Sequence, residues 1–240
     1  FETQLRWRDP KRGLVTSDTF LRTAEQSGMI LPLGKWMLGQ ACGTAAKWPG
    51  RISVAINVSA VQMFQNDFCD EVQQVLKSTR LDPQRLEIEI TEAVLLRDVS
   101  DTLQRLSSLK QLGVRIVMDD FGTGHSSLGY LRRFPFDKIK VSRSFIQELD
   151  RGVETGQIVR AIAKIGECMK IETTADGVDR ETQLAYVAEA GYTEVQGDFR
   201  GKAMLADQID QTYFATPQPN AMPIVINTPH VIDSSIVIPE

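Results

Sequence analysis

Val114-Arg115-Ile116-Val117-Met118-Asp119-Asp120-Phe121-Gly122-Thr123-Gly124 is the stretch on which the fold turns. Side chains alternate across a strand, so Val114, Ile116 and Met118 share an apolar face while Arg115, Val117 and Asp119 share the other. Two carboxylates followed by glycines then mark a turn. The apolar face calls for a covering helix, and the charged face calls for partners in a sheltered interior.

The same unit recurs on both sides of this stretch. Strands are expected at 52–57, 85–90, 114–119, 136–141, 171–176 and 192–196, with an irregular first strand at 2–7 and a last one near 201–204. Ser17-Asp18 opens a helix that Gly28 stops, and Asp98 to Gly113, Glu154 to Cys168 and Asp179 to Gly191 carry apolar residues at helical spacing. Strands alternating with helices imply parallel pairing through crossovers, and eight strands suit a (β/α)8 TIM-type barrel with an irregular first strand.

Each strand divides into two faces. Ser53, Ala55 and Asn57 align, as do Glu87 and Glu89, then Lys138 and Lys140, then Glu172, Thr174 and Asp176, then Glu194 and Gln196. The opposite faces, such as Leu86, Ile88 and Ile90, are apolar and belong under helices, so the polar sets belong inside. The last inward residues, Asn57, Glu89, Asp119, Lys140, Asp176 and Gln196, would converge where such barrels keep their active sites. Oxygen ligands with no thiolate or imidazole among them suit Mg2+ or Mn2+. A two-metal site could activate water against a phosphate ester, with Lys140 orienting it or offsetting charge.

The composition sets limits. The 240 residues carry a net charge of −4, which argues against a nucleic-acid polymer as partner. Cys42, Cys69 and Cys168 follow no metal or disulfide spacing, and with no apolar run of membrane-spanning length a cytoplasmic domain is expected. The barrel domain is expected over residues 1–214. Residues 215–240, with Pro217, Pro219, Pro223, Pro229 and Pro239, read as a Pro-rich tail, a docking strand or a linker. Because the chain opens at Phe1 inside a strand-like run, its N-terminus is expected to be truncated from a longer protein, membrane-anchored or multidomain.

Several segments together resemble the EAL family of cyclic di-GMP phosphodiesterases. They are Glu2-Thr3-Gln4-Leu5-Arg6-Trp7, Phe20 to Gly28, Ile56-Asn57-Val58-Ser59-Ala60, Glu87-Ile88-Glu89-Ile90-Thr91-Glu92, Met118 to Gly124, Pro135 to Lys140 and Val195-Gln196-Gly197. The resemblance implies that Glu2, Asn57, Glu89 and Asp119 hold one metal, and that Asp119 and Asp120, with Asp176 as base or ligand, serve the second. It further implies that Lys140 orients the attacking water, Arg6 contacts the phosphates, Gln4 lines the nucleotide pocket and Gln196 joins the metal or water network. Glu92 would anchor the loop from Asp120 to Ser127, which the family ties to homodimerisation. The product would be linear pGpG, and a sensor or GGDEF-type domain would lie upstream.

The departures from the family pattern bear on turnover rather than fold. Glu-Ala-Leu is Glu2-Thr3-Gln4, Glu-Gly-Val-Glu is Asp176-Gly177-Val178-Asp179, and Lys-Ile-Asp is Lys140-Val141-Ser142. Asp198-Phe199-Arg200 replaces an aromatic and apolar run, and Val61 stands where Arg is common. Two functions therefore stand side by side: slow metal-dependent hydrolysis, and a receptor that binds cyclic di-GMP without cleaving it. Asp119-Asp120 could be turn carboxylates, Glu87 and Lys138 read as an internal ion pair, and His125 reads as a loop contact.

Overall fold

The computed structural model describes residues 1–124, 128–150, 152–214 and 233–238, divided between two compact units. Of the described residues, the first unit comprises 1–115, 203–214 and 233–238, and the second comprises those of 116–202.

In the first unit β1 (Glu2–Asp9) turns back through the short β2 (Gly13–Thr16) and leads into α1 (Ser17–Ser27) and α2 (Ile30–Ala45). Then follow β3 (Val54–Asn57), α3 (Ala60–Met63), α4 (Phe68–Thr79), β4 (Leu86–Thr91), α5 (Glu92–Arg97) and α6 (Val99–Gln111). β1 pairs in parallel with β3 through Glu2 and Ala55, and β3 pairs in parallel with β4, setting Asn57 opposite Glu89. The antiparallel β1–β2 hairpin was not among the expected strands. Its register runs from Arg6 opposite Thr16 to Asp9 opposite Gly13, and the Asp9 carboxylate accepts from the amides of Lys11 and Arg12 to form the turn.

The second unit holds β5 (Arg115–Phe121, from Ile116 onward), α7 (Leu128–Arg133), β6 (Lys138–Val141), α8 (Arg143–Gln147) and α9 (Val153–Met169). It continues with β7 (Glu172–Ala175), α10 (Glu181–Ala190) and β8 (Glu194–Val195). β5, β6, β7 and β8 pair in that order, all parallel. The chain returns to the first unit with β9 (Met204–Leu205), α11 (Ala206–Ile209) and β10 (Asp233–Ile238). β10, from the segment read as a tail, a docking strand or a linker, pairs in parallel with both β1 and β9.

Local chemistry sets the helix boundaries. Asp98 caps α6 by accepting from Asp101 N at 3.0 Å, and Ser59 and Gln62 close a reciprocal capping box at the start of α3. The strand faces read as apolar are buried, with Leu86, Ile88, Ile116 and Met118 fully so. Truncating any of them to Ala would cost about 2–5 kcal/mol. Trp48, which the sequence did not single out, packs on Phe1 and donates from Nε1 to Asp210 Oδ1 at 3.1 Å. Among the described residues no helix is long and apolar enough to cross a membrane.

Candidate functional site

In the first unit the expected residues gather where β1 begins and the parallel β3 and β4 approach their ends. Glu2 is buried, and its Oε1 accepts from Asn57 Nδ2 at 2.7 Å. That contact leaves the Asn57 carbonyl oxygen as a neutral donor beside an anionic one. Glu89, also buried, stands opposite Asn57 in the β3–β4 register, and its backbone carbonyl accepts from Val58 N at 2.9 Å.

Further along β1, Arg6 Nη2 donates to Gln4 Oε1 at 2.5 Å and Nη1 donates to the Leu5 carbonyl at 3.2 Å. Gln4 therefore orients Arg6. Glu92, in the first turn of α5, is 5% exposed, and both of its carboxylate oxygens are buried without a hydrogen-bond partner among the described residues. A buried carboxylate left in this way calls for a partner that arrives from elsewhere. Part of the loop it was expected to anchor, including His125, lies outside the described residues.

In the second unit the centre is a β-bulge. Met118 pairs with Ile139 and Phe121 with Val141, so β5 carries one residue more than β6 across this interval, and the extra length falls at Asp119-Asp120. Asp120 takes φ 53°, in the left-handed region, and its amide donates to Asp119 Oδ1 at 2.8 Å. A strict alternation would send these two side chains to opposite faces. The bulge breaks that alternation at the strand end.

Lys140 lies within the bulged interval of β6, 3% exposed, with its Nζ 3.9 Å from Asp119 Oδ1. One pleat deeper, Lys138 Nζ meets Glu194 Oε2 at 2.6 Å, and Thr174 Oγ1 donates to the same oxygen at 2.8 Å. In the first unit Glu87 is met by Arg115 at 3.0 Å. Where the sequence suggested an internal ion pair of Glu87 with Lys138, Glu87 meets Arg115 and Lys138 meets Glu194, and breaking the buried Lys138–Glu194 pair would cost about 3–5 kcal/mol.

Asp176 is half-buried just past β7, with its amide donating to Val141 O at 3.2 Å. Gln196 is buried past β8, its amide donating to Ala175 O at 2.9 Å. The second unit therefore brings Asp119, Lys140, Asp176 and Gln196 to the ends of adjacent strands.

The donor chemistry fits a hard divalent cation. Carboxylate and amide oxygens supply the candidate ligands, while burial pushes the Cys42 thiol up to about 12, leaving it protonated and inert. Among the described residues no three His, Cys, Asp or Glu side chains form a ready metal cage.

Comparison with known proteins agrees with the geometry. The EAL domain family profile matches residues 1–203. Protein y4lL of Sinorhizobium fredii is 48% identical over 208 residues, covering 87% of this chain and 25% of its own. The bifunctional diguanylate cyclase/cyclic di-GMP phosphodiesterase MucR of Pseudomonas aeruginosa is 37% identical over 216 residues, covering 87% of this chain and 31% of its own. The chain thus spans about a quarter to a third of these relatives.

Among solved structures, the PaMucR phosphodiesterase in complex with c-di-GMP superposes with a TM-score of 0.83 at 36% identity, covering 85% of this chain and 84% of that one. Klebsiella pneumoniae BlrP1, in a manganese/cy-diGMP complex, gives a TM-score of 0.70 at 25% identity, covering 80% of this chain and 49% of that one. These neighbours share the α/β barrel fold class that the strand and helix pattern indicated. The chain belongs to the EAL domain family.

Proposed function

We propose that this domain binds cyclic di-GMP and slowly hydrolyses one of its phosphodiester bonds to linear pGpG in a metal-dependent reaction. The observation that carries this reading is the β5 bulge, which sets two successive carboxylates at a strand end with the buried Lys140 amine opposite. Relatives named as cyclic di-GMP phosphodiesterases and neighbours solved with that dinucleotide support it.

In this reading Glu2, Asn57, Glu89 and Asp119 would hold one Mg2+ or Mn2+ ion, and Asp119 and Asp120, with Asp176 as base or ligand, would serve a second. Bound metal would supply Lewis-acid polarisation of the phosphodiester and a lowered pKa for the attacking water. The chain's own residues do the rest. Arg6, steadied by Gln4, takes a phosphate through charge-assisted hydrogen bonds. Lys140 orients the water and offsets negative charge as the new P–O bond forms, with Gln196 as a further hydrogen-bonding group. Asp176 would accept the water proton as the new P–O bond forms and the P–O bond to the ribose oxygen breaks, and that oxygen would leave as a hydroxyl by taking a proton from solvent, to which Asp176 then returns its own. Glu92 anchors the loop beyond Asp120, through which a homodimer would form.

Slow turnover follows from Asp176. Its carboxylate is one methylene shorter than the family's Glu, a withdrawal of about 1.5 Å, and proton transfer tolerates little of that. The domain acts in the cytoplasm within a longer signalling protein that carries a sensor or GGDEF-type module. Incubating it with cyclic di-GMP and Mn2+ while measuring binding heat and pGpG tests the proposal. Heat with slow pGpG release supports it, heat without pGpG favours the receptor, and neither overturns both.

A further inference from the structure

Three loops of the second unit meet on one carboxylate. Asp179 Oδ2 accepts from Arg143 Nη2 at 2.8 Å and from Gln147 Nε2 at 3.5 Å, both on α8 just after β6. Its Oδ1 accepts from the Asp198 amide at 3.1 Å, in the segment just after β8. Asp179 itself closes the segment just after β7. The three segments are those that follow Lys140, Asp176 and Gln196.

The backbone beneath this carboxylate is stacked without slack. Asp176 N donates to Val141 O at 3.2 Å, Val178 N to Gln196 O at 2.8 Å and Phe199 N to Val178 O at 3.2 Å. Gly177 sits at φ 82° with the stem of Arg143 where a side chain would be, and Gly197 at φ 146° lies against the backbone of Val178. Only glycine allows both the dihedral and the approach at these two positions. The backbone bonds tie each segment to its neighbour, and the Asp179 side chain links α8 to the segment after β8 across the one between them.

We propose that Asp179 is a positioning residue, which with Arg143 sets the spacing of Lys140, Asp176 and Gln196 for the hydrolysis described under Proposed function, on which this inference rests. Bulk stability is not its purpose. The Arg143 side chain is 52% exposed and that of Asp179 27%, and ion pairs in such settings add little to folding. Reacting groups, by contrast, lose roughly a hundredfold in rate for a misplacement of about 1 Å.

The test compares Asp179→Ala, Arg143→Ala and the double variant with the parent chain. It measures kcat and KM for cyclic di-GMP with Mn2+, the melting temperature, and amide hydrogen exchange at residues 176–178 and 196–199. Each single variant is expected to lower kcat roughly tenfold or more while KM changes less than about twofold, with exchange at those amides accelerated. The double variant should be no worse than the worse single, because either change opens the same link. Asp179→Glu, which keeps a carboxylate in reach, should recover part of kcat. Unchanged exchange, or faster exchange with kcat intact, overturns the proposal. A parent that binds cyclic di-GMP but forms no pGpG would instead sink the hydrolysis reading and with it the positioning role, whatever the exchange shows.

Discussion

Asn57 donates from Nδ2 to Glu2 Oε1 at 2.7 Å, so the end of β3 and the start of β1 share a neutral amide and a buried carboxylate. Asn57→Asp would turn that contact into a like-charge pair. The expected cost is about 1 kcal/mol without metal, or roughly 2–4 °C in melting temperature. Mn2+ should reverse the loss and give a larger thermal shift than in the parent. A variant that melts as the parent does, with and without Mn2+, would show that no cation binds beside Glu2.

Glu89→Gln and Asp119→Asn each remove one anionic oxygen and keep the shape of the side chain. In the parent, Mn2+ at about a hundred times its dissociation constant should stabilise by about 2.7 kcal/mol, or roughly 5–10 °C. That shift should vanish in both variants. A parent without any shift would remove the metal assignment.

Arg6→Ala should weaken cyclic di-GMP binding by roughly tenfold to a hundredfold, the loss of a charged hydrogen bond to phosphate. Gln4→Ala should weaken it less, because it frees the guanidinium without removing it. Calorimetry on both variants decides. Equal losses would mean that Gln4 meets the dinucleotide itself.

Asp120 holds φ 53°, a conformation that costs a non-glycine residue roughly 1–2 kcal/mol. Asp120→Gly relieves that strain and deletes the carboxylate. The melting temperature without metal should hold or rise by a few degrees, while pGpG formation falls by at least about tenfold. Lower stability together with full activity would assign Asp120 to the turn alone.

Asp176→Glu restores the missing methylene. Turnover should rise at least about tenfold, equivalent to about 1.4 kcal/mol of barrier. Steady-state pGpG formation by the two proteins side by side is the measurement, and no gain or a loss would mean that the backbone already compensates for the shorter side chain.

The sequence by itself determined the alternation of strands and helices and the polar and apolar strand faces, because these follow from side-chain periodicity, which is local. Leu86, Ile88, Ile116 and Met118 are buried as their spacing required, and α1, α6, α9 and α10 lie where capping and periodicity put them. The resemblance named the candidate ligands for the same reason: Glu2, Asn57, Glu89 and Asp119 sit in short contiguous motifs.

Only the tertiary structure decided which charges meet. Glu87 faces Arg115, and Lys138 on β6 reaches past β7 to Glu194 on β8, pairings set by strand order and register that no single stretch encodes. It also placed the bulge at Asp119-Asp120, a mismatch between β5 and β6 visible only when the two are paired. The link from Asp179 to Arg143 and Asp198 spans 36 and 19 residues, so its hydrogen bonds exist only once three strand ends lie side by side.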